Sequence, residues 1–267
     1  MVLNFINWNV DPEIFNIGPL ALRWYGLLFA LAFVLSYLVF KKIFQKEGHS
    51  MEMLDQLTVY VAVGTIIGAR LGHVLFYDPA YYFANPIKIF FIWEGGLASH
   101  GSAIGMLIAL YMWVRKHKLN YLWLLDRIGI VVALGGMCVR FGNLMNSEIY
   151  GIQTALPWGF IFQREGEIVA KHPTQIYEAL SYLALFIFLF YSYSKDFLFK
   201  LRGLAFGVFL IALFGARFLI EFIKNPQEEF EKGMTIDMGQ ILSIPFILTG
   251  IILVAYALTK KTKATSK

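Results

Sequence analysis

The sequence predicts an all-α integral membrane protein: a bundle of seven transmembrane helices, N-terminus outside and C-terminus cytoplasmic, with a small periplasmic segment between spans four and five. Two observations carry this prediction. Of 267 residues, 58% are hydrophobic and only 15% charged, against about 45–50% and about 25% in soluble domains. Mean hydropathy is +0.61. The apolar residues also gather into stretches close to the roughly 20 residues that cross a bilayer as a helix. This balance excludes an ordinary soluble enzyme, a disordered chain and a coiled coil.

The spans read as Leu20–Phe40, Leu57–Tyr77, Leu97–Val114, Tyr121–Val139, Ile176–Tyr193, Leu204–Ile223 and Ile241–Leu258. The fifth is short but very apolar from Ala179 to Tyr191. Phe (25) and Tyr (14) are abundant, as suits buried and interfacial positions. Residues 1–19 carry Asp11 and Glu13 but no Lys or Arg, so they lack the basic start of a cleavable signal peptide. Trp8–Gly18 fits a segment lying along the membrane surface. The single cysteine, Cys138, excludes an intrachain disulfide and reads as a packing residue.

Orientation follows from the cations. With the N-terminus outside, the inside segments hold Lys41, Lys42, Lys46, Arg115, Lys116, Lys118, Lys195, Lys200, Arg202, Lys260, Lys261, Lys263 and Lys267. The outside segments hold only Lys88, Arg164, Lys171, Lys224 and Lys232. The net charge of +5 is therefore mostly topology, and no nucleic-acid partner is expected. No internal repeat or long linker is visible, so residues 1–267 are expected to form one polytopic membrane domain. Between spans four and five, Trp158–Gln163 alternates and Arg164–Glu167 is turn-like, which predicts a small hairpin.

Charge is costly in a membrane, so intramembrane ionisable residues are functional candidates. Arg23, Arg70, His73, His100, Arg140, Glu178, Arg217 and Glu221 all fall in the outer half of the bilayer. Such an Arg-rich layer suits an anion, and guanidinium grips phosphate with a two-pronged fork. Simpler roles compete. Arg217 and Glu221, four apart, can pair with each other. Arg23 and Arg70 can extend to the interface. His73 can be a packing residue, and His49 and His117 fall in cytoplasmic loops as solvated groups. Asp126 and Arg127 read as a structural ion pair near the inner side. His100 lies in the small-residue run Gly95–Gly96–Leu97–Ala98–Ser99–His100–Gly101–Ser102, where backbone can approach a ligand.

The densest polar stretch is Arg140–Phe141–Gly142–Asn143–Leu144–Met145–Asn146–Ser147–Glu148–Ile149–Tyr150–Gly151. Polar groups this dense cannot face lipid, so they line a polar cavity or pair among themselves. If the helix continues, Asn143 and Asn146 share a face.

This stretch resembles the signature of prolipoprotein diacylglyceryl transferases, roughly G-R-x-G-N-F-x-N-x-E-x-x-G, with Val139 and Leu144 at the first Gly and the Phe. Further family-like blocks follow the same order: Arg23–Trp24–Tyr25–Gly26, Gly68–Ala69–Arg70–Leu71–Gly72–His73, Gly95–Gly101, His172–Pro173–Thr174–Gln175–Ile176–Tyr177–Glu178, Arg217–Phe222 and Met238–Pro245. The resemblance implies transfer of an sn-1,2-diacylglyceryl group from phosphatidylglycerol to the lipobox cysteine thiol of a prolipoprotein. A thioether forms and glycerol 1-phosphate leaves. It implies no cofactor and no metal, membrane lipid and the prolipoprotein signal peptide as partners, and a place in the bacterial cytoplasmic (inner) membrane with the active site toward the outer side. Nothing in the sequence suggests an obligate partner, so a monomer is expected.

By the same resemblance, His100 is the proton acceptor that raises the thiolate fraction. Arg140 and Arg217 stabilise the departing phosphate, and Tyr25 orients a phosphate or the base. Asn143, Asn146, Glu148, Gly151, Arg70 and Glu221 are the expected substrate-binding residues. Two positions depart from the family pattern. Leu213, with Phe214 beside it, stands where a Tyr is frequent, and Lys224 stands where an Arg is common. The competing reading is a phospholipid transporter or flippase with an Arg-rich outer-leaflet head-group site. Repeated halves and midplane charge, which such a protein usually shows, are absent from the sequence.

Overall fold

The computed structural model describes residues 5–18, 20–226, 231 and 236–265. Lys232 and Lys267, two of the cations that set the orientation, and residues 1–4 and 19 of the N-terminal segment lie outside the described residues.

The chain is mostly helical. Three short strands, β1 (Ile6–Trp8), β2 (Glu13–Ile17) and β3 (Leu20–Arg23), precede α1 (Trp24–Lys46) and α2 (Met51–Phe76). A short α3 (Pro79–Ala84) and two 3₁₀ turns lead to α4 (Ser99–Lys116) and α5 (Tyr121–Met145). Strand β4 (Phe160–Phe162), α6 (Thr174–Ser194), α7 (Leu204–Glu221) and α8 (Met238–Thr265) complete the chain. Each of the seven expected spans is a helix, and six of them (α1, α2, α5, α6, α7, α8) are long and apolar enough to cross a membrane. The third, α4, has 18 residues, about 27 Å at 1.5 Å per residue. The helices are apolar on many outward faces, and Val59, Ile67, Leu219 and Ile252 are each at least half exposed. That pattern fits a lipid surround and would be unfavourable in water.

Four helices end in the same way. At Gly48, Lys118, Ser147 and Asp196 the backbone turns left-handed, with φ of 72°, 54°, 56° and 54°. The next amide then bonds back across the last turn: His49 to Phe44 O at 2.9 Å, Leu119 to Val114 O at 2.9 Å, Glu148 to Asn143 O at 3.1 Å and Phe197 to Ser192 O at 3.0 Å. This Schellman closure satisfies carbonyls that a helix end leaves orphaned.

The chain divides into two compact units, residues 40–124 and the remainder. In the first, α2 and α4 meet backbone to backbone. Gly64, Gly68 and Gly72 face Gly101, Gly105 and Ala109, and an added side chain at Gly68 or Gly72 would strike Gly101. Without a hydrophobic drive between helices in lipid, such small-residue seams supply the van der Waals contact. The expectation of solvated loop histidines is corrected here. His49 is edge-on to Trp123 at 5.0 Å, and His117 packs on Trp113 at 4.6 Å. Aromatic rings at the helix ends give both imidazoles a partly buried seat.

In the second unit, α5 is the buried spine. Asp126 is in electrostatic reach of its neighbour Arg127, and it also has a capping role. Its carboxylate accepts the amides of Gly203 and Phe206, both at 2.8 Å, and so caps the start of α7. The loop between α5 and α6 contains the expected strand but a different pairing. β4 runs parallel to β1, Ile6 opposite Phe160, because the N-terminal segment reaches this loop. The antiparallel element is reduced to single bridges, Phe160 with Lys171 and Gln153 with Lys171. Trp8, Leu144, Phe160 and Phe162 form a small apolar core beneath it. The strands make the fold α-helical with a minor β element rather than wholly α.

Candidate functional site

The polar signature begins where α5 stops. Ser147 takes the left-handed turn, so the chain reverses instead of continuing as a helix. Asn143 and Asn146 still converge, because the reversal brings Glu148 back over the last turn. Glu148 Oε1 accepts from Asn143 Nδ2 at 2.7 Å and Asn146 Nδ2 at 3.3 Å. Arg140 donates to Asn143 Oδ1 at 3.2 Å, which fixes the amide's orientation. The start of α6 holds the reversed backbone. Thr174 Oγ1 donates to Ile149 O at 2.7 Å and Gln175 Nε2 to Glu148 O at 2.6 Å.

One turn further along α6 lies Glu178, fully buried. Arg140 Nε is 2.7 Å from Glu178 Oε2. Lys224, 3% exposed, reaches Glu178 Oε1 at 3.2 Å and Glu221 Oε2 at 3.0 Å. Arg140, Glu178, Lys224 and Glu221 thus form a chain of alternating charges that sums to zero, the condition for burying ions without large loss. Gly239, in the first turn of α8, lies against the Glu221 carboxyl with no room for a side chain. Glu221 therefore pairs with Lys224. Among the described residues it makes no ion pair with Arg217, contrary to the i, i+4 alternative.

Gly151 closes this arrangement. Its amide donates to His172 O at 2.8 Å, the amide of Ile152 to Ile223 O at 2.9 Å, and Gly151 bridges Lys224. A Cβ at Gly151 would collide with the Ile223 carbonyl, so only glycine lets the segment after α7 lie on the segment after α5. Lys224 is delivered to the two carboxylates by this pairing.

Tyr25, the second residue of α1, lays its ring on Gly142, one turn before the end of α5. Its hydroxyl is in electrostatic reach of Glu148 and Arg140. Arg217 is half-buried on α7, and among the described residues it makes no hydrogen bond or ion pair. It is in electrostatic reach of the Tyr182 hydroxyl. Unlike Arg140 and Lys224, the half-buried Arg217 has no ion-pair partner among the described residues. Phe214, beside the departing Leu213, stacks on Phe246 at 4.2 Å. A polar pocket of about 480 Å³ borders the signature, lined by Asp11, Pro12, Glu13, Arg23, Asn146, Glu148 and Arg164. Arg23 there is exposed and pairs with Glu13 at 3.1 Å.

The loop above is organised by aromatic and histidine contacts. Tyr150 stacks on Phe162 and donates to Glu167 Oε1 at 2.9 Å. Burial first, then that carboxylate, push its phenol up to about 12. His172 Nδ1 lies 3.2 Å from the Tyr177 hydroxyl, and burial holds its imidazole below the ordinary value.

Two expected site residues belong to the unit of residues 40–124. His100 is the second residue of α4 and is exposed. Arg70 is 4% exposed, and its donors are taken by backbone carbonyls, as described below. Lys224, Gln175 and Tyr182 were not among the expected site residues, and Glu178 was seen only as a buried charge. A signal existed for Lys224, an outside lysine three residues after Glu221.

Comparison with known proteins places the chain in a family. A family model described as prolipoprotein diacylglyceryl transferase matches residues 12–256. A protein named phosphatidylglycerol–prolipoprotein diacylglyceryl transferase in Tolumonas auensis is 47% identical over 96% of this chain and 99% of its own length. The proteins of that name in Porphyromonas gingivalis and Chloroherpeton thalassium are 48% and 42% identical, over 95% and 94% of both chains. The chain belongs to the prolipoprotein diacylglyceryl transferase family.

Proposed function

We propose that this protein transfers the sn-1,2-diacylglyceryl group of phosphatidylglycerol to the lipobox cysteine of prolipoproteins. The observation that carries the reading is the match over nearly the whole chain to proteins of that name. The buried Arg–Asn–Glu cluster at the matching signature supports it. In this reaction the thiol loses its proton and its sulfur attacks a saturated glycerol carbon. A C–S bond forms, and the C–O bond to phosphate breaks with its electron pair on the phosphate oxygen. The phosphodiester carries one negative charge and the departing glycerol phosphate gains a second. Fixed cations therefore bind the transition state more tightly than the substrate.

In this reading His100 accepts the thiol proton. Arg217 and Arg140 meet the developing phosphate charge, with Arg140 held in place by Glu178 and Asn143. Glu148, Asn143, Asn146 and Gly151 shape the head-group site, Lys224 and Glu221 complete its charge balance, and Tyr25 orients a phosphate or the base. Residues 1–267 act as one polytopic unit of seven spans, α4 included, with the N-terminus outside. The protein works as a monomer in the bacterial inner membrane, its site toward the outer side.

The test uses purified protein, phosphatidylglycerol and a lipobox peptide. Glycerol phosphate release that needs the peptide thiol, and is lost with a Cys→Ser peptide, is the expected result. No release with either peptide from folded protein would overturn the reading in favour of lipid transport. Release with both would indicate a phospholipid hydrolase. Retention of full activity by His100→Gln would remove His100 as the base.

A further inference from the structure

We infer that Arg70 is a positioning residue, which moulds the segment before α4 and so sets the place of His100, and is not a phosphate ligand. A guanidinium has five N–H donors in a planar fork. Around Arg70 that fork meets backbone carbonyls on every side. Nε donates to Ile89 O at 2.8 Å, one terminal nitrogen to Gly95 O at 2.6 Å and Gly96 O at 3.1 Å, and the other to Lys88 O. The Tyr82 ring covers the guanidinium carbon at 4.8 Å. An incoming phosphate would have to displace these contacts from a side chain that is 4% exposed.

The four carbonyls belong to residues 85–98, a stretch of two short 3₁₀ turns without α-helix or strand. Gly96 sits at φ +73°, and a Cβ there would lie 2.7 Å from the His73 ring and 2.8 Å from Arg70. The Ala98 amide then donates to Ala69 O at 2.9 Å, the residue beside Arg70. Helix α4 starts at the next residue, with His100 second in it. Arg70 thus gathers the incoming chain through four carbonyls, the last of them four residues before the imidazole. Lysine offers a single nitrogen and cannot reproduce this fan of bonds.

The inference rests on the reading of His100 as the proton acceptor. Its test uses the full-length protein in phosphatidylglycerol-containing micelles, with Arg70→Lys and Gly96→Ala. The second variant keeps the guanidinium itself but sets a methyl group against it and against the His73 ring, at a backbone position with φ of +73°. Two readouts are needed: kcat and KM for phosphatidylglycerol, and hydrogen exchange along residues 85–102. A misplaced catalytic group can cost about 10²-fold. The expected result is a kcat loss of that order in both variants, KM unchanged, and faster exchange confined to 85–102. Wild-type kcat with raised KM in Arg70→Lys would make Arg70 a phosphate ligand and overturn the inference, as would unchanged exchange in both variants. If Arg70→Lys fails to fold, Gly96→Ala decides alone. Wild-type protein that performs no transfer would sink the proposed function, while the exchange data would still report on the clamp.

Discussion

Arg70 is followed by Leu71 and Gly72, and Arg140 by Phe141 and Gly142. In both helices the glycine two residues on admits a close neighbour, Gly101 in one case and the Tyr25 ring in the other. Both arginines are mostly shielded from solvent. Their partners nonetheless differ in kind. Arg70 meets neutral carbonyls, which tie a loop to a helix. Arg140 meets a carboxylate and a side-chain amide, within a chain of charges that runs on to Lys224 and Glu221. Depth of burial therefore does not distinguish the two arginines. What distinguishes them is whether the partners are fixed backbone dipoles or charged and polar side chains.

The largest expected effect tests the charged region. Lys224→Met leaves Glu178 and Glu221 buried without their shared cation, and breaking a buried pair costs about 3–5 kcal/mol. Thermal unfolding in detergent should show that loss, and adding Glu221→Gln should recover part of it. A Lys224→Met protein as stable as wild type would mean the network is not the support of this region.

Next comes the backbone pairing that delivers Lys224. Gly151→Ala forces a side chain into the Ile223 carbonyl, and such overpacking costs about 1–3 kcal/mol. Unfolding midpoints should drop, with activity lost in step. Unchanged stability would show that the two segments can separate without harm.

A smaller effect comes from pH. His172 has a folded pKa below its ordinary value, so it is neutral in both states above about 6.5. As pH falls through that value the unfolded chain takes up the proton first. Stability is then lost progressively until the folded pKa is passed. Hydrogen exchange in residues 151–173 should accelerate over that window, and His172→Gln should flatten the dependence. A dependence unchanged in His172→Gln would assign it to another group.

Much of this was legible in the sequence because membrane constraints are severe. Each of the seven apolar stretches contains a helix; polar residues lengthen two of them, at Met51–Gln56 and Arg140–Met145, and Leu20–Arg23 of the first is strand β3 instead. Asn143 and Asn146 were expected to share a face if the helix continued; they converge on Glu148 for a different reason. That convergence depends on a left-handed turn at Ser147, a residue that does not advertise one as glycine would. Lys224 carried a local signal, a lysine three residues after Glu221, but its second carboxylate did not. Its partners come from α6 and from the end of α7, and only the Gly151 pairing brings them together. Arg70 looked like the other outer-layer arginines because residue type and depth are visible in a sequence, whereas the carbonyls that saturate it are contributed by backbone.

Arg217 makes no hydrogen bond or ion pair with the described residues, and its replacement is the most direct test. Arg217→Gln should remain folded, with an unfolding midpoint close to wild type, because no hydrogen bond or ion pair to the described residues is lost. Removing one donor to developing charge costs about 10²–10³-fold. The account predicts a fall of that order in kcat/KM for thiol-dependent glycerol phosphate release. Full transfer by Arg217→Gln would contradict it, and would return the phosphate to Arg140 or to a residue not considered as its ligand.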